Sequence, residues 1–107
     1  MPMVFGLSTD DRTLHVFQDA QTAVSFAEGV DVEDGGWLFF SDDGTRLDAV
    51  FTKPNRRGWF WVVSGRYELR PAPGKSHLLD HLNQVVGVEG PEGLASVEAV
   101  RTHLTNR

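Results

Sequence analysis

A chain of 107 residues, 40% apolar and 23% charged, is sized for one domain around one core, and it carries too much hydrophobic surface for a disordered segment. The absence of cysteine excludes disulfides, thiolate metal sites and cysteine nucleophiles. A formal charge of −5 argues against a nucleic-acid binder, which needs a continuous basic groove.

That charge is unevenly divided. Residues 1–48 hold ten acids against Arg12 and Arg46, a net of −8, whereas 49–107 hold five acids against eight bases, a net of +3. The densest stretch carries Glu28, Asp31, Glu33, Asp34, Asp42, Asp43 and Asp48 opposed only by Arg46. Such a field repels phosphate and attracts basic partners; the plainer reading is a solvated acidic loop that aids solubility. There is no run of eighteen apolar residues, and MPMVFGLSTDDR lacks the basic-then-apolar order of a secretory leader. The expectation is therefore one soluble, cytoplasmic domain over 1–107 with no membrane contact.

In chain order, MVFGLS and TLHVFQ are two short strands joined in a hairpin by TDDR. Asp19 then caps a helix whose small residues Ala20, Ala23, Val24 and Ala27 share one side, and Gly29 is its stop. From Trp37 to Arg70 the pattern turns to β: GGWLFF, SDDG, TRLDAVFT, KPNRR, GWFWVV, SG and RYELR read as an antiparallel meander. PAPG breaks it. Ser76 then caps a second helix with the stripe Leu78, Leu79, Leu82, Val85 and Val86, running to Gly87. VEGPEG reads as turns, and Ser96 caps a last helix facing inward through Val97, Val100 and Leu104. The predicted fold class is α+β, an antiparallel meander of four to six strands with two or three helices packed mainly on one face.

Turn lengths predict the register. A two-residue loop at Ser64-Gly65 sets Phe60 opposite Leu69 and Val62 opposite Tyr67; a four-residue loop over 53–56 sets Ala49 opposite Phe60 and Leu47 opposite Val62. The core face is then Leu47, Ala49, Phe60, Val62, Tyr67 and Leu69. The other face carries Trp59, Trp61, Val63 and Val50 among Arg46, Asp48, Arg66, Glu68 and Arg70. On it the tryptophans either lie beneath arginine stems or form a recognition patch, with base stacking ranked third. Trp37 and Phe39 fall on the outer face if the SDDG loop spans four residues and on the inner face if it spans three.

Candidate chemistry is sparse. His77 and His81, four residues apart around Asp80, resemble the inverted zinc-peptidase pattern with aspartate for glutamate. On a helical wheel both lie away from the leucine stripe, so the expected environment is water, with no third ligand in the short remainder. His15 reads as a strand-surface residue and His103 as the flank of the last helix. The serines lack a strand-elbow-helix context, and no glycine run follows a strand and opens a helix to cradle phosphate. No catalytic residue, metal or cofactor is assigned.

Taken as a whole, the small acidic α+β chain without cysteine, with its GWLFF and GWFWVV strands, resembles the immunity proteins of bacterial toxin–immunity systems, including those of contact-dependent growth inhibition. The resemblance spans the full chain and rests on size, charge and the aromatic meander. It implies direct binding of a cognate toxin domain, often a basic nuclease, in the bacterial cytoplasm, blocking its active site or a surface it needs. Independently, an acidic segment can mimic nucleic-acid charge and speed association with a basic partner. The contact residues expected on that ground are Asp31, Glu33, Asp34, Asp42 and Asp43, with Trp59 and Trp61 as aromatic anchors. The competing class is an enzyme or small-ligand domain that uses the sheet face with His77 or His81. A third is self-association through the two Trp faces, so monomer and homodimer both stay open.

Overall fold

The computed structural model describes residues 3–58 and 62–106. Among the described residues eight strands run in chain order: β1 (Val4–Ser8), β2 (Thr13–Phe17), β3 (Trp37–Ser41), β4 (Arg46–Lys53), β5 (Arg56–Arg57), β6 (Val62–Val63), β7 (Arg66–Pro71) and β8 (Gly87–Glu89). Three α-helices, α1 (Ala20–Phe26), α2 (Gly29–Glu33) and α3 (Val97–Thr105), join two 3-10 turns at Leu78–Asp80 and Leu82–Gln84. The fold is α+β. Six strands form one sheet in the order β7-β4-β3-β1-β2-β8, antiparallel except for the β2–β8 pair, and β5 and β6 form a separate ribbon.

The centre of the sheet is covered on both faces. Alternation along β1 and β3 sends Val4 and Phe39 one way and Phe5, Leu7 and Phe40 the other. The first set packs with Phe17, Leu47, Tyr67 and with Ala23 and Ala27 of α1. The second packs with Leu14, with Leu78, Leu82 and Val85 of the 3-10 region, and with Val100 and Leu104 of α3. The helices are thus divided between faces instead of gathered on one. The reason lies in the central strands: VFGL and FF are apolar at both parities, as strands buried on two sides must be.

Phe39 pairs with Leu47 and Phe40 with Arg46, and the Ser41 amide donates to the Thr45 carbonyl at 2.8 Å. The loop therefore spans three residues, which sets Phe39 on the α1 face beside Trp37. Gly44 takes the left-handed position that such a loop requires, at φ +88°.

The predicted register of β4 fails. Leu47 faces Pro71, Ala49 faces Leu69 and Phe51 faces Tyr67, with a bulge between Phe51 and Lys53, so β7 pairs directly with β4. Val62 pairs instead with Arg57 in the β5–β6 ribbon. Phe60 lies outside the described residues. Leu47, Ala49, Tyr67 and Leu69 do share a face, and Arg46, Asp48, Val50, Arg66, Glu68 and Arg70 share the other. The cause is Asn55, which closes the base of the excursion. Its Oδ1 accepts from the Gly65 amide at 2.6 Å, while its Nδ2 donates to the Gly29 carbonyl at 3.0 Å and to Glu33 at 3.1 Å.

Two helix expectations also change. Gly29 opens α2 instead of stopping the first helix, because a Cβ there would sit 2.7 Å from Asn55 Oδ1 and glycine permits the close approach. The predicted second helix is a pair of 3-10 turns that still bury Leu78, Leu82 and Val85. It cannot continue as α-helix because the Val86 amide donates to the Arg12 carbonyl at 2.9 Å and Gly87–Glu89 is taken up by the sheet edge beside β2. The last helix forms as predicted, with Ser96 Oγ accepting from the Ala99 amide at 3.1 Å.

Candidate functional site

The acids singled out in the sequence are parted by β3. Its first residue, Trp37, pairs with Ser8, and its last, Ser41, pairs with Val4 at the other end of the sheet. Five residues of extended chain cover roughly 17 Å. Asp31, Glu33 and Asp34 therefore belong to one end, and Asp42 and Asp43 to the other. The five do not make one surface.

At the first end Asp31 and Asp34 meet Asp10, which the sequence reading did not select, around a cleft of about 480 Å³ that also takes in Thr9, Gly35, Gly36 and Trp37. Backbone bonds fix its walls. Thr9 donates through its amide to the Gly36 carbonyl (3.0 Å) and through its hydroxyl to the Gly35 carbonyl (2.8 Å). The Gly36 amide donates to the Asp31 carbonyl at 2.8 Å. Glu33 turns aside to Asn55 and to Arg57, whose guanidinium lies 3.6 Å from Glu33 and 3.0 Å from Asp34. All three side chains of that ion-paired group are exposed, so it adds little stability.

At the second end the carboxylate of Asp43 shapes its own turn, accepting from the Ser41 hydroxyl (2.5 Å) and the Thr45 amide (3.0 Å). Two histidines hold the same turn from outside. His77 Nδ1 accepts from the Leu79 amide at 3.1 Å, so the ring proton sits on Nε2 and donates to the Asp43 carbonyl at 2.8 Å. His103 Nε2 donates to the Asp42 carbonyl at 3.0 Å, with its ring edge-on to Phe5. Gly44 packs against the His77 ring and accepts at its carbonyl from the Leu78 amide at 2.9 Å.

The expectation that His77 and His81 face water is corrected by these contacts. Both are half-buried; His77 has spent both ring nitrogens, and His81 Nε2 lies 2.8 Å from Ser76 Oγ with its ring 5.5 Å from Phe40. The reason is that the segment is not a continuous α-helix, so the wheel that placed them outside does not apply. Among the described residues no group of three or more His, Asp or Glu side chains is placed to hold a metal ion, and no helix is long and apolar enough to cross a membrane.

A further group was missed in the sequence. His15, Phe17, Phe26 and Trp37 form one aromatic cluster, with centroids 5.2 Å apart for His15–Trp37, 5.3 Å for His15–Phe26 and 5.8 Å for Phe26–Trp37. It sits over Gly6, where a Cβ would come within 2.8 Å of Phe17 and 3.2 Å of Trp37. The signal was present in the hairpin register, which sets His15 opposite Gly6 and leaves a hole for rings. Trp59 and Trp61, the predicted anchors, lie outside the described residues. The far face of β4 and β7 is a charged ladder, with Lys75 and Arg46 on Asp48 (2.9 and 4.0 Å), Arg70 on Glu68 (3.1 Å), and Arg46 over Phe40 at 5.9 Å. Comparison with protein-family models, with curated proteins and with solved structures returns no match.

Proposed function

We propose that this chain is a protein-binding module, an immunity-type inhibitor that neutralises a basic toxin domain by direct contact in the bacterial cytoplasm. The observation that carries this reading is the cleft in which Asp10, Asp31 and Asp34 converge beside Trp37. Carboxylates lining a concave site focus a negative field outward, here offset in part by Arg57 on Asp34, and such a field draws in a basic partner and raises its association rate. An aromatic wall beside them suits a lysine or arginine head. The same field disfavours phosphate, so the partner is protein and not nucleic acid. The competing enzymatic reading rests on His77 and His81; His77 bonds the Asp43 carbonyl of the β3–β4 turn through Nε2 and accepts from the Leu79 amide at Nδ1, which favours a structural role for that ring.

Stopped-flow association with a basic toxin domain, taken from the adjacent reading frame where one is encoded there, tests the proposal. Reversing Asp31 and Asp34 together to lysine should slow association at least tenfold at low salt and flatten its salt dependence. An association rate indifferent to that double reversal rules the mechanism out.

A further inference from the structure

Phe26 ends α1 with 57% of its surface exposed, while the helix buries itself through Ala23 and Ala27. Burying a phenylalanine is worth about 1.5–3 kcal/mol, so stability alone gives no reason for one at this position. The ring is nonetheless held in place. It meets Trp37 at a right angle, lies 5.4 Å from Phe17 and 5.3 Å from His15, and Trp37 in turn stacks on Phe39 at 6.0 Å. An exposed aromatic already braced by its neighbours loses little side-chain freedom when a partner covers it, which is the property of an interface anchor.

Trp37 is shared between two environments. It belongs to this aromatic patch, and it also lines the cleft of Asp10, Asp31 and Asp34. We infer that Phe26, His15 and Trp37 form the docking point for a segment of the partner protein that presents an apolar side chain next to a lysine or arginine. The apolar group covers Phe26 and the Trp37 edge, and the cation enters the cleft. This inference rests on the protein-binding reading above and adds the place and chemistry of contact.

Charge complementarity selects the occupant. The patch adjoins the cleft lined by Asp10, Asp31 and Asp34. Arg57, which reaches Asp34, is held between Asp34 and Glu33. A second copy would bring the same carboxylates against themselves, and an anionic membrane surface would meet them with like charge.

The test is a titration of the isotope-labelled chain with a synthetic peptide of alternating leucine and arginine, and with its leucine–glutamate counterpart. The arginine peptide should shift the Gly35 and Gly36 amides and the Trp37 indole, and the glutamate peptide should not bind. Phe26→Ala should raise the peptide Kd at least fivefold with the thermal melt little changed, since the ring lies outside the core. Asp34→Lys, on a separate exposed position, should do the same should the alanine variant loosen α1. Shifts centred on the Asp42–Gly44 turn, or an unchanged Kd in Phe26→Ala and Asp34→Lys, overturn the docking point and leave the acidic-module reading standing. Failure of the arginine peptide to bind anywhere at low salt removes both.

Discussion

Tyr67, the single tyrosine of the chain, allows one side chain to be followed by itself. It is 8% exposed on β7, and its hydroxyl donates to the Ala27 carbonyl at 2.6 Å, joining the sheet edge to the end of α1. Burial pushes its phenol from 10.0 up to about 12. Between those values the unfolded chain releases a proton that the folded chain keeps. The contribution is therefore fully present below about pH 10 and is lost as pH climbs toward 12, a loss of at most roughly 2–3 kcal/mol. Tyr67→Phe removes the hydroxyl and leaves the buried Ala27 carbonyl without that donor, at a cost of about 1–2 kcal/mol at neutral pH. The ring contacts to Phe51 and Phe39 remain. For a domain of this size the melting point should fall by roughly 5–10 °C. Phenolate absorbance during an alkaline titration reads the tyrosine directly. Urea unfolding at neutral pH and near pH 11 reads the stability, with the phenylalanine variant as baseline for the two lysines. Native phenolate forming near pH 10, or an equal alkaline loss in parent and variant, would show that the phenol is not buried as described.

Two other substitutions probe the turn and the opposite core. Gly44→Ala places a Cβ against the His77 ring at φ +88°, and should cost at least about 3 kcal/mol from backbone strain and displaced packing combined; a urea midpoint close to that of the parent would contradict the clamped turn. Leu78→Ala, at a fully buried position, should cost about 2–5 kcal/mol, whereas Val86→Ala should stay within about 0.5 kcal/mol because Val86 is 67% exposed. Comparable losses at both positions in thermal melts would favour the continuous helix over the 3-10 turns.

Local chemistry made part of this fold legible. Asp19 and Ser96 accept from the amides of Thr22 and Ala99, as their positions before apolar-periodic runs imply, and the first hairpin forms where its turn residues stand. The errors arise where a distant partner decides. The Leu78–Val86 stripe satisfies a helical period, yet Leu78, Leu82 and Val85 also reach the core from 3-10 turns, and periodicity does not separate the two. The three residues of β8 become a strand only through β2, more than seventy positions earlier in the chain. Turn counting misplaced β7 because Asn55, through its bonds to Gly65 and Gly29, draws the ends of the excursion together and lets β4 and β7 meet. The order of acids along the chain was equally misleading, since Asp34 and Asp42 are close in sequence but an extended strand lies between them.

That separation sharpens the functional argument. If negative charge alone attracted the proposed partner, both ends of β3 would contribute comparably, because the field of a carboxylate reaches about a Debye length wherever it sits. The structure makes the ends different. At the turn, Asp43 accepts from Ser41 and Thr45 while His77 and His103 hold the carbonyls, so its charge is bound up with backbone geometry. At the cleft, Asp10, Asp31 and Asp34 line open space beside half-buried Trp37, with Asp34 also paired to Arg57. Steering follows total charge, whereas residence follows desolvated contact. Reversal at Asp42 should accordingly slow association and leave dissociation nearly untouched, while reversal at Asp31 should change both. Dissociation rates that respond equally to the two reversals would place the contact somewhere other than the cleft.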